Sequence, residues 1–189
     1  MLRSDALEIL KTFVKNPNLI KHHLACETIM GSLCRTLNPQ ADENLINKWR
    51  LVGLLHDADY ELTKNDPDKH TLVLEEKIGK QLDRDVMYAI KAHNFAYTGT
   101  NPKSLMDWSM YACDELSGLI IASTLIHPDR RLSNIDVNFI INRFNDKTFA
   151  KGASRAQIKL CESKLHIPLG EFIGICLNSM QNISSALNL

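Results

Sequence analysis

Apolar residues recur at helical spacing along almost the whole of this 189-residue chain, with Pro and Gly as punctuation. No two alternating β-branched runs flank a turn, so the expected fold is an all-α bundle. Ser4-Asp5 provides a start for a first helix to about Val14, stopped by Asn16-Pro17-Asn18. Helices follow over about 19–37 and 43–55. Residues 63–68 read as a loop, with Pro67-Asp68 opening the helix that carries His70. Asp83 caps a helix through His93, and a long helix spans about 104–126. Shorter helices are expected near 134–144, 153–165 and 168–186, started by Ser133 or Asn134 and by Pro168. The length fits one domain: a helical core over 1–126 and a C-terminal helical extension over 127–189 packed on it.

Lys and Arg total 22, and so do Asp and Glu, so no global charge draws the chain to a nucleic-acid polymer or an acidic membrane. No stretch approaches the roughly 20 apolar residues of a membrane span. The N-terminal residues lack the apolar region of a signal peptide. Cys26, Cys34, Cys113, Cys161 and Cys176 are scattered, with no CxxC pair, which fits reduced, packed thiols. The expectation is a cytoplasmic protein.

The chemistry concentrates on His56-Asp57, at the end of the apolar run Leu51-Val52-Gly53-Leu54-Leu55. A histidine beside a carboxylate in such a place is unfavourable to bury unless something binds both, and a divalent metal does so. Other helix faces offer more ligands. His22 shares a face with Leu19, Ala25, Cys26 and Ile29, and His93 with Val86, Ala89 and Ile90. His70 has Val73 and Leu74 one turn on. Asp114 sits among Met110, Tyr111, Ser117, Gly118 and Ile121, where a lone carboxylate would cost on the order of several kcal/mol. One buried histidine is an ordinary core residue, but six inward-facing titratable groups share one explanation in a metal centre. Nitrogen and oxygen ligands suit iron, manganese, cobalt, magnesium, nickel or zinc. Four ligands would satisfy one ion; six, with a bridging carboxylate, suit two. His23 lies about 100° round the helix from His22, which puts it behind the ligands or on the surface. His127 and His166 read as loop or helix-end residues.

The order His22, His56-Asp57, His70, His93, Asp114 resembles the HD-domain superfamily of metal-dependent phosphohydrolases. The segments Lys21-His22-His23-Leu24-Ala25, Gly53-Leu54-Leu55-His56-Asp57, Lys69-His70, Ala89-Ile90-Lys91-Ala92-His93-Asn94 and Ala112-Cys113-Asp114-Glu115-Leu116 carry the likeness, over roughly residues 19–126. The tail resembles that of a bacterial subgroup of predicted HD hydrolases. The resemblance implies that His22, His56, Asp57 and Asp114 hold a first metal, that Asp57 bridges, and that His70 and His93 complete a second. Asp57 and His56 would then be the catalytic signature. The implied reaction is hydrolysis of a phosphoester or phosphoanhydride in a nucleotide or related small phosphate compound, by attack of metal-activated water. Lys69, Lys91 and Asn94 neighbour the ligands and are candidates to hold phosphate oxygens, with Asp59 as a further substrate contact. Two other outcomes fit the same ligands: a di-iron oxygenase of this fold, and a non-catalytic module that binds a nucleotide or a protein.

Overall fold

Every regular element of the computed structural model, which describes residues Met1–Leu189, is helical. The first part runs α1 (Arg3–Phe13), α2 (Pro17–Leu37), α3 (Glu43–Leu55), α4 (Tyr60–Thr63), α5 (Leu72–Ile78), α6 (Arg84–His93), α7 (Phe95–Thr98) and α8 (Leu105–Ile126). The C-terminal part adds α9 (Val137–Asn145), α10 (Arg155–Ile158), α11 (Leu160–Lys164), α12 (Leu169–Gln181) and α13 (Ser184–Leu187). The protein is therefore all-α. No helix is long and apolar enough to cross a membrane.

Local chemistry sets the helix starts. Asp42 accepts the Leu45 N–H to open α3, and Ser104 forms a reciprocal capping box with Asp107 at α8. Asn16 caps α2 with Pro17 at its first turn, so Pro17 begins a helix rather than only ending one. Other expectations need correction. Helix α1 starts at Arg3 with no side-chain cap, so Ser4-Asp5 lies inside its first turn. Asp83 stands at the start of α6, but its side chain pairs with Lys48 instead of capping. Asp136, not Ser133 or Asn134, caps α9. The segments expected as helices over 153–165 and 168–186 each break in two.

His70 departs most from the sequence expectation. It is not on a helix. It follows the 3-10 turn Pro67–Lys69 in an extended conformation and precedes Thr71, whose φ of 72° is left-handed. A β-branched residue rarely adopts that backbone, so the turn is strained at the point where it aims the histidine.

Helix α2 is the central strut, packed against α3, α8 and α12. At its crossing with α3 a Cβ on Gly53 would lie 2.4 Å from the Cys26 carbonyl oxygen, so only glycine permits this approach. The buried core is one contiguous cluster in which Leu33, Leu54 and Leu116 of the first part join Phe172, Cys176 and Met180 of the last. The C-terminal helices thus complete the same core as residues 1–126. All five cysteines are free and buried.

Between α9 and α10 the chain folds around Arg155. Its guanidinium donates to six backbone carbonyls, those of Arg143, Phe144, Asp146, Phe149, Ala150 and Ala153. A planar cation with five N–H groups can organise a loop in this way without any hydrogen-bonded ladder.

Candidate metal centre

The close approach at Gly53 brings α2 and the end of α3 together, and α8 closes against them. His22 from α2, His56 from the C-terminal end of α3 and Asp114 from α8 then form one cluster. The Nε2 atoms of His22 and His56 are 3.2 Å apart, and Asp114 Oδ1 lies 3.1 Å from the first and 3.5 Å from the second. A second cluster joins His70 and His93, whose Nε2 atoms are 3.1 Å apart. Asp57 Oδ1 lies 3.0 Å from His70 Nε2 and 3.1 Å from His93 Nε2. Its other oxygen, Oδ2, is 3.7 Å from His56 and 3.9 Å from His22. One carboxylate therefore faces both clusters. The structure brings together all six expected ligands.

The opposite nitrogen of each ring is tied. His56 Nδ1 donates to the Gly53 carbonyl at 2.9 Å, and His93 Nδ1 to the Ile90 carbonyl at 2.5 Å. His70 Nδ1 donates to Asp59 Oδ1 at 2.8 Å. His22 Nδ1 lies 3.0 Å from Ser117 Oγ, whose own proton goes to the Asp114 carbonyl, so the ring is the donor. These bonds fix the tautomers and leave all four Nε2 lone pairs pointing inward. Imidazole nitrogens facing one another at such distances repel unless a proton or a cation lies between them. The donor set and its convergence suit a divalent metal, and the two groups can hold a metal ion.

Without metal, the neighbouring carboxylates favour protons at His56 and His70. Burial opposes protonation of His56, but Asp57 and Asp114 outweigh it and raise its pKa to about 9. Burial is likewise overcome at His70 by Asp57 and Asp59, again to about 9. Burial would raise the Asp57 and Asp114 carboxyls, yet the facing histidines hold both well below the usual range.

Two cavities touch the ligands. One, of about 350 Å³, is lined by Asp57, His70, His93 and Asp114 together with Tyr60, Asn94, Tyr97, Tyr111, Glu115 and Gln157. The other, of about 410 Å³, is bounded by His22, Asp114, Glu115 and Gly118 and by Ala150, Gly152 and Ala153 from the loop around Arg155. The C-terminal segment thus builds part of the site wall.

Of the candidate substrate contacts, Asn94 lines the first cavity. The lysines do not line either cavity. Lys69 is exposed and paired with Asp66, while Lys91 pairs with Glu75 and faces a separate cavity between α5 and α6. Asp59 is fully buried beneath His70, which makes it a support for the ligand instead of a substrate contact. His23 is fully buried, its ring centroid 5.3 Å from that of His56, and neither ring nitrogen has a partner.

Cys26 was read from the sequence only as a packed thiol. Its sulfur is in reach of the first cluster, but it lies 3.9 Å from both nitrogens of His22, beside the ring and not opposite the Nε2 lone pair. Ser117, bonded to His22, and Glu115, on the cavity walls, also border the clusters and were not singled out from the sequence. Ser117 lies three residues after Asp114 and so on the same helix face, a signal available in the sequence. Tyr97, Tyr111 and Gln157 carried no such signal. The chain matches no family model, no curated protein and no solved structure.

Proposed function

We propose that this protein is a metal-dependent phosphohydrolase of the HD type, acting on a small phosphoester or phosphoanhydride. The observation that carries this reading is Asp57, whose two oxygens face separate histidine clusters with no other residue between them in role. A paired-ion site held by one shared carboxylate suits in-line displacement at phosphorus. A divalent ion, when bound, lowers the pKa of a coordinated water and offsets charge on the phosphoryl oxygens.

The chain's own residues supply position. His22, His56, Asp57 and Asp114 would hold one ion, and Asp57, His70 and His93 the other. Tying each Nδ1 removes the rotational freedom that would blur that arrangement. The Asn94 amide donates to the His70 carbonyl at 3.3 Å, which fixes it at the cavity wall beside the second cluster. Tyr60, Tyr97 and Tyr111 line the same cavity, where their rings would displace water from around the reacting phosphate.

The test compares phosphate release from a panel of phosphoesters by metal-stripped and metal-reconstituted protein. Activity should return with metal and be lost in His56→Ala. Hydrolysis that survives both metal removal and that substitution would rule the mechanism out.

A further inference from the structure

Phosphate sites are usually furnished with Lys or Arg, yet neither residue type lines either cavity beside the metal ligands. Besides the expected ligand Asp114, what both cavities share is Glu115. It follows Asp114 on α8, and its Oε2 accepts the Ser154 N–H at 3.0 Å, which leaves Oε1 with no protein partner. The available lysines, Lys147, Lys151 and Lys159, line a different cavity.

Charge balance turns this into a statement about the ligand. With two divalent ions bound, Asp57, Asp59 and Asp114 cancel three of the four positive charges. A phosphate dianion then leaves the site negative before Glu115 is counted. A carboxylate there disfavours a simple phosphate ester and favours one that brings a positive charge of its own. The tyrosines of the same cavity favour that outcome, because aromatic faces attract an ammonium group.

We propose that Glu115 is a specificity-determining residue that receives a protonated amine, so that the substrate is a phosphate ester carrying an amino group near the phosphate. This deepens the phosphohydrolase reading and rests on it for the placement of the phosphate.

The experiment titrates metal-loaded protein calorimetrically with ethanolamine phosphate and with ethylene glycol monophosphate, which differ by an amine against a hydroxyl. Phosphate release from the same two compounds is followed in parallel. The amine should bind about tenfold tighter or more. Glu115→Gln, which keeps a carbonyl acceptor for the Ser154 N–H, should bring the ratio of the two affinities close to one. Equal or absent binding of the two compounds by the wild-type protein overturns the inference, as does a preference that survives Glu115→Gln. If phosphate is released without any amine preference, the hydrolase reading stands and the inference fails. If the amine preference appears with no phosphate release, the amine site stands and the hydrolase reading fails.

Discussion

Asp59 lies directly behind His70: Oδ1 accepts from His70 Nδ1 at 2.8 Å, while the same carboxylate accepts the backbone N–H groups of Thr71 at 3.1 Å and Leu74 at 2.9 Å. It thereby caps α5, braces the left-handed turn at Thr71 and sets the histidine's orientation. Replacing it with the isosteric Asn keeps the shape but removes the charge. Asp59→Asn should weaken metal binding at the His70–His93 cluster about 10- to 100-fold and leave the His22–His56 cluster nearly unaffected. Metal titration with elemental analysis of the products would show it. Equal occupancy in variant and wild type would deny Asp59 that role.

The two clusters should also separate under substitution of their carboxylates. Asp57→Asn is expected to reduce occupancy at both, because each loses a ligand oxygen. Asp114→Asn is expected to affect only the cluster of His22 and His56. Metal content of the two purified variants decides the matter; identical profiles would mean that Asp57 is not shared.

Protons and metal compete for the same nitrogens, which fixes the sign of two pH effects. The raised histidine pKa values stabilise the metal-free fold fully below 6.5, and that contribution is lost as pH rises through about 9. The depressed Asp57 carboxyl contributes above 3.8 and loses its effect as pH falls through its lowered value. Between 3.8 and 6.5 both contributions are present, so the melting temperature of metal-free protein should decline from 6.5 toward 9. Apparent metal affinity should rise over the same alkaline interval as the protons leave. A flat melting profile across it, with no proton release on metal binding, would contradict the assignment.

At Gly53 the expected effect is on the fold itself. Any side chain must push α2 and α3 apart, since the neighbouring atoms are backbone and cannot rotate away. Gly53→Ala should lose about 3 kcal/mol or more of stability, measurable by urea unfolding. A loss below about 1 kcal/mol would show that the crossing can relax.

Five of the six clustered residues were legible because helical spacing alone puts His22, His56, His93 and Asp114 on inward faces, with Asp57 adjoining one of them. His70 joins the cluster as expected, but its support by Asp59 was not legible, because nothing in residues 66–71 announces a left-handed threonine. Lys69 and Lys91 were expected at the phosphate from adjacency to ligands in the chain. Adjacency fails there for a geometric reason: Lys91 is two residues from His93 and so about 200° round α6, while the turn at Lys69 points its side chain to Asp66. Gln157 and the loop at 150–153 reach the site only through tertiary packing, which no local pattern encodes.

The six carbonyls gathered by Arg155 have a consequence for how the chain can vary. Most surface loops tolerate insertions and deletions, since their backbone is satisfied by water. Here one guanidinium counts out the carbonyls between Arg143 and Ala153, so adding or removing a residue strands some of them and displaces the wall at Ala150 and Gly152. Among descendants of this sequence, the loop's composition is free to drift while its length is held constant.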